Sequence, residues 1–205
     1  MLSSREQILR DIRAHLPAAD ALPNRNFAPT VYANATAQYL EVLGSVGGAG
    51  KVVHGTDSLR VELERLAAEL NAQHICSVIP EALSGDIDLN ATDDPHDLAN
   101  VDLAVLPGEL AVAENGAVWV TGDLVRQRVA YFLSQHVALV VPADRVVNNM
   151  HEAYDWLYRQ AEPSGPFATL RWGTFMSGPS KTADIEQALV IGAHGARSLH
   201  VFLAS

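Results

Sequence analysis

Two short stretches of the chain group side chains that can do chemistry. The first is Gly178-Pro-Ser-Lys-Thr-Ala-Asp184. Gly178 lets a ligand approach the main chain, and Pro179 fixes the turn. Ser180 and Thr182 offer hydroxyls, Lys181 a cation and Asp184 a carboxylate. If a helix starts here, its free N–H groups and positive dipole end form a site for a carboxylate or phosphate. The same hydroxyls can instead cap that helix while Lys181 stays in solvent. The second stretch is Ala113-Glu-Asn-Gly116, set between two apolar runs. Glu114 at a strand end can act as base or nucleophile once desolvated. It can equally be an exposed hairpin acid, since Asn115-Gly116 is a favoured turn pair.

The elements that must position these loops follow from periodicity. The window from Phe175 to Leu203 reads as strand, tight turn, buried helix, Gly195 stop and strand, with His194 in the last helical turn. Upstream, strands and helices alternate from Lys51. Lys51–His54 reads as a strand, and Asp57 caps a helix with Leu59, Leu63, Leu66 and Leu70 on one stripe. His74–Ile79 and His136–Val141 read as buried strands. Asp94-Pro95 opens a short helix. The closely spaced runs Asp102–Leu106, Leu110–Ala113 and Ala117–Thr121 predict an antiparallel or mixed section. A helix over Asn148–Arg159 and a strand over Leu170–Met176 complete the set. This alternation predicts an α/β fold, a mostly parallel sheet covered on both faces in a three-layer α/β/α arrangement. Residues 1–29 form an N-terminal helix, opened by the capping box Ser3-Ser-Arg-Glu6, and a Pro-containing arm. Residues 30–205 form a single α/β domain.

Bulk properties exclude several function classes. The 205 residues carry a formal net charge of −10, with no basic stripe for nucleic acid. A single cysteine, Cys76, can form neither an internal disulfide nor an iron–sulfur cluster, and it reads as a small buried hydrophobe. The first residues lack the apolar stretch of a signal peptide, and no run is long enough for a membrane span, so a cytoplasmic protein is expected. Gly173–Gly178 has Walker spacing, but Pro179 stands where Lys must follow. Gly47–Gly50 precedes a strand, whereas a dinucleotide-binding turn follows one. The scattered histidines give no helix-borne metal pair, and no metal is expected. Only two lysines, Lys51 and Lys181, occur in the chain.

Met176-Ser-Gly-Pro-Ser-Lys-Thr-Ala-Asp-Ile-Glu186, followed by Val190-Ile-Gly-Ala-His-Gly195, resembles the lactate-utilisation protein C family, the LUD-domain proteins. The Ala-Glu-x-Gly loop at Glu114 agrees in placement. The resemblance implies a fold similar to CoA transferases and sugar-phosphate isomerases, with ligand at strand ends. It implies a subunit of a system oxidising L-lactate to pyruvate, beside partner subunits that carry the iron–sulfur clusters; no cofactor is expected in this chain. On this reading Lys181 and the 178–182 amides hold a small organic acid or another anion, and Glu114 orients or deprotonates it. Asn115, Gly116, Gly178, Pro179, Ser180, Thr182 and Asp184 complete the expected ligand-binding set.

The chain departs from the family pattern at Asn115 and Ala117, where hydroxyl residues are common, and at Ala196, where Pro is usual. Glu114-Asn-Gly116 is similar to the Ser-Glu-Asn-Gly loop of family-one CoA transferases, whose Glu forms an acyl thioester. That likeness implies an alternative, an autonomous CoA- or phosphate-ligand enzyme with Glu114 as nucleophile. A third reading is a non-catalytic interaction subunit whose N-terminal helix docks on the iron–sulfur partners.

Overall fold

The computed structural model describes residues 3–17, 28–170, 172–185 and 188–205. Most of the expected Pro-containing arm lies outside the described residues. In chain order the elements begin with α1 (Ser4–Ala14), α2 (Ala35–Ser45), β1 (Ala49–Val53), α3 (Thr56–Glu69) and β2 (Ile75–Ser77). A 3₁₀ turn (Pro95–Leu98) leads to β3 (Leu103–Pro107), β4 (Leu110–Val112), β5 (Ala117–Thr121), α4 (Ala130–Leu133) and β6 (His136–Pro142). The chain ends with β7 (Val146–Val147), α5 (Met150–Gln160), β8 (Gly173–Ser177), β9 (Lys181–Ile185), β10 (Ala188–Ile191) and β11 (Ser198–Ala204).

The central sheet is parallel throughout, in the order β1-β11-β6-β3-β2. Its strands are near-continuous apolar runs because both faces are covered. On one face, Leu59, Leu63 and Leu66 of α3 pack against Leu103, Val105 and Phe202. On the other, Ala104, Leu106, Leu139, Val201 and Leu203 meet Tyr39 and Leu43 of α2 and Tyr131 of α4. Strand alternation sends successive side chains to these two clusters. Leu106 is completely buried, and its truncation to Ala costs about 2–5 kcal/mol.

Of the three runs expected to form an antiparallel or mixed section, Asp102–Leu106 is instead β3 of the parallel sheet, paired with β2 and β6, whereas Leu110–Ala113 and Ala117–Thr121 fall in a second, mixed sheet in the order β7-β4-β5-β8. Its inner face, with Ala111, Val118 and Val120, joins the cluster above β6. Its outer face packs Leu110, Val112, Trp119 and Phe175 against Ala153 and Trp156 of α5. The whole is an α/β fold whose mostly parallel central sheet is flanked by helices.

Several predicted caps are present. Ser3 forms a full capping box with Glu6. Asp94 accepts from the N–H of His96 at 2.9 Å before Pro95. At α5 the cap is Asn149, whose oxygen accepts from the N–H of Glu152 at 3.0 Å. Asp57 is not a cap: Gly55, at φ 77°, holds that position, and Asp57 pairs with Arg60 in the first turn instead.

The helix expected after Gly178 is not formed. β9 and β10 make an antiparallel hairpin there. The Lys181–Ile191 window has helically spaced Ile185 and Leu189, but also the β-branched residues Thr182, Ile185, Val190 and Ile191. A helix needs a surface to bury its apolar stripe. Leu189 and Ile191 remain exposed, at 64% and 51%, so no burial rewards a helix and local strand pairing satisfies the backbone.

Candidate functional site

The site is organised around the C-terminus of α2. That helix closes with a Schellman motif: the Gly48 N–H donates to the Leu43 carbonyl at 2.9 Å and the Gly47 N–H to Gly44 at 3.0 Å. Gly47 takes φ 82°, the left-handed conformation this ending requires. Both candidate loops pack on the helix end so capped.

The first loop, Ala113–Gly116, joins β4 to β5. It is a four-residue connection, not the two-residue turn that Asn115-Gly116 alone predicts. The Gly116 N–H donates to Val112 at 3.0 Å, and the Asn115 side chain accepts from the N–H of Ala117 at 3.1 Å. Gly116 has φ 64°, and a Cβ there would sit 3.0 Å from the backbone of Leu43. Glu114 projects into solvent, while its N–H donates to Asn148 at 3.0 Å. The desolvation that would activate its carboxylate is absent.

The second loop follows β8. The Ser177 hydroxyl donates to the Asn115 carbonyl at 2.6 Å, so the two loops touch directly. Gly178 takes φ 71°, and a Cβ there would lie 2.4 Å from the carbonyl oxygen of Val46. The space opened by this glycine is thus filled by α2. Pro179 is buried. Ser180 is held from both sides: its N–H donates to Ala196 at 2.9 Å and its carbonyl accepts from Gly192 at 2.8 Å. The exposed ammonium of Lys181 donates to the Val46 carbonyl. Thr182 is half-buried in β9 opposite Val190. Asp184 also falls in β9, with its side chain outside the described residues.

Ser180 and Lys181 border a cavity of about 320 Å³, together with Gly178, Pro179, His194 and Gly195. Tyr131 and Phe132 of α4, Phe175 and Met176 of β8, Ala196 and Leu199 form its apolar side. The lining thus combines a serine, a lysine and a histidine with aromatic side chains. Glu114, Asn115, Gly116 and Thr182 are not among the lining residues. The periodicity argument assigned His194 to a helix end; it lies between β10 and β11, exposed at the cavity. Its sequence signal was the Gly-Ala-His-Gly ending. The aromatic wall had none, because Phe132 and Phe175 reach the cavity from elements far apart in the chain.

A larger cleft of about 760 Å³ lies beside α5, lined by Trp119, Tyr154, Tyr158, Phe167 and Asp155 among others. It has a carboxylate and no cation among its described lining residues, the wrong chemistry for an anion. Among the described residues, no group of three or more His, Cys, Asp or Glu is placed to hold a metal ion, and no helix is long and apolar enough to cross a membrane.

Comparison with known proteins gives a consistent result. The LUD domain family model matches residues 36–204. Lactate utilization protein C of Geobacillus thermodenitrificans is 33% identical over 102 residues, covering 50% of this chain and 41% of that protein. The protein of the same name from Geobacillus kaustophilus is also 33% identical over 102 residues, with the same coverage. Lactate utilization protein C 1 of Bacillus mycoides is 30% identical over 94 residues, 46% of this chain and 39% of that one. The chain therefore matches less than half the length of these relatives. A solved DUF162 family protein from Deinococcus radiodurans superposes with a TM-score of 0.64 at 16% identity, over 86% of this chain and 100% of that one, a likeness of fold.

Proposed function

The chain belongs to the LUD-domain family, and on that footing we propose that it serves in lactate utilisation, binding a small carboxylate or related anion in the cavity at Pro179–Lys181. The cavity itself carries this reading, because Ser180, Lys181 and His194 all line it. A hydroxyl, an ammonium and an imidazole N–H are donors suited to a carboxylate, and the charge-assisted bond from the ammonium is the stronger kind. Lys181 keeps further N–H donors beyond the one given to Val46. The oxidation of lactate would be completed with iron–sulfur partner subunits, since one buried cysteine supplies no cluster.

Titration of the chain with L-lactate, pyruvate and acetate, followed by amide chemical shifts, tests the binding. Saturable shifts at Ser180, Lys181 and Gly195, weakened by Ser180→Ala, are expected. No shift at millimolar ligand would remove the anion site.

A second reading has its own observation. Ile8 and Ile12 of α1, with Leu16 just past its C-cap His15, are exposed apolar residues, and no residue of that helix is buried. Such a stripe of residues is suited to docking on a partner subunit. The acyl-enzyme reading is the least supported, because Glu114 is exposed and apart from the cavity.

A further inference from the structure

We infer that the cavity takes an acid with an apolar body, larger than lactate: a carboxylate bearing an aryl or branched aliphatic group. The inference rests on the anion reading above and deepens it. Size is the first observation. The cavity of about 320 Å³ falls in the range of pockets that enclose ordinary organic ligands. A three-carbon hydroxy acid has six non-hydrogen atoms. Even at ~30 Å³ for each, the share of a whole water molecule in the liquid, it fills only about half of that space.

The distribution of chemistry is the second. The polar groups Ser180, Lys181 and His194 come from the two ends of the β9–β10 hairpin. The same lining includes Phe132, Phe175 and Leu199, which lactate has almost nothing to contact. With an acid headgroup on the polar groups, the rest of a ligand is left to meet these side chains.

The third is the support behind Phe132. Phe132 is 44% exposed, yet its ring is placed by its neighbours. It meets Trp172 edge-on at 6.3 Å between centroids, and Trp172 lies 6.0 Å from Tyr131. Arg128 caps the same indole at 5.6 Å. An aromatic ring held in place and left partly uncovered is suited to receive an apolar group edge-on or offset-stacked. The lining supplies one lysine, which sets the ligand class as a monoanion with a compact apolar substituent.

The test uses two acids with the same 2-hydroxy-carboxylate head, L-lactate and L-3-phenyllactate, titrated into the purified chain by calorimetry. Phenyllactate is expected to bind about tenfold more tightly, through the added buried apolar surface. Phe132→Ala is expected to bring the ratio of the two affinities toward one, and Ser180→Ala to weaken both acids alike. Equal binding of the two acids, or tighter binding of lactate, overturns the inference and leaves the anion site standing. Binding of neither overturns the anion reading and this inference with it. The wild-type comparison decides the matter even where a variant is unstable.

Discussion

Lys181 donates a hydrogen bond to the carbonyl oxygen of Val46, a residue 135 positions earlier in the chain. Val46 is the C-cap of α2, where carbonyl groups point outward and the helix dipole is negative. The lysine that looks like an anion ligand in the sequence therefore also fastens the β8–β9 turn to a helix end. Lys181→Ala is expected to lower stability by about 0.5–1 kcal/mol, a fall in Tm of roughly 2 °C. Lys181→Arg should recover most of it. An unchanged melting curve for Lys181→Ala would show that the contact contributes nothing to stability.

The glycines around this junction should separate sharply. Gly178→Ala combines a left-handed backbone, φ 71°, with a Cβ 2.4 Å from the Val46 oxygen. It should cost about 2–3 kcal/mol. Gly116→Ala, at φ 64° and 3.0 Å from the Leu43 backbone, should also destabilise. Gly44 lies within α2, and a Cβ added there would meet nothing within 4 Å, so Gly44→Ala should stabilise by about 0.5–1 kcal/mol. Urea midpoints for the three variants check the order, and a destabilised Gly44→Ala would contradict it.

The same junction marks the limit of what the sequence disclosed. The parallel strands were legible because their apolar runs are nearly unbroken, and the caps at Ser3 and Asp94 because capping is local chemistry. The segment Lys181–Ile191 was not. Its apolar spacing fits both a helix and a strand pair, and the choice depends on whether tertiary structure offers a face to bury. Gly178 was legible as a special backbone position, but not what fills its space, since Val46 is remote in sequence. For the same reason Ser180 and Lys181 could be selected as candidates while the aromatic residues that share their cavity could not.

Stability should decline in mild acid through a pair of histidines on neighbouring strands, His136 of β6 and His200 of β11. Ser198 Oγ lies 2.7 Å from His136 Nδ1 and 2.9 Å from His200 Nε2. Burial holds both imidazoles below the ordinary value of 6.5; Arg197 adds to this at His136, and His136 itself at His200, while Asp102 and Glu69 oppose it. The unfolded chain binds protons at these positions first, so stability is lost as pH falls below 6.5 toward the folded values. Asp102 extends the decline. It accepts from the N–H groups of His74 at 2.9 Å and Gln73 at 2.8 Å, which hold its carboxyl below 3.8, and that contribution is lost as pH falls further. Urea unfolding at pH 8, 6 and 5 should give falling free energies, and His200→Gln a shallower slope. A flat profile from pH 8 to 5 would sink this account.

Cys76 should be inert in the native protein. It is completely buried in β2, paired with Ala104 of β3 on one side and bridged to Ile87 on the other, and burial pushes its thiol up to about 12. Only the thiolate reacts readily, so both access and ionisation are missing. Ellman's reagent at pH 8 should register no thiol until denaturant is added, after which one equivalent appears. Rapid labelling of the folded protein would mean that the central sheet opens at its β2 edge.

Removal of α1 tests the docking reading against the cavity. Ile8, Ile12 and Leu16 are 59%, 54% and 64% exposed, and the helix buries none of its residues. Deleting residues 1–29 should therefore leave the melting temperature of the remainder nearly unchanged, because α1 contributes nothing to the core. It should leave acid binding at Ser180 and Lys181 unchanged as well, since no residue of α1 lines that cavity. Association is the property expected to disappear: the truncated chain should no longer recover iron–sulfur subunits from its native host, while the full chain does. Triple substitution of Ile8, Ile12 and Leu16 by Ser should have the same effect with the helix caps intact. Full recovery of the partner by both variants would place the interface on the α/β domain and return the exposed stripe to ordinary surface.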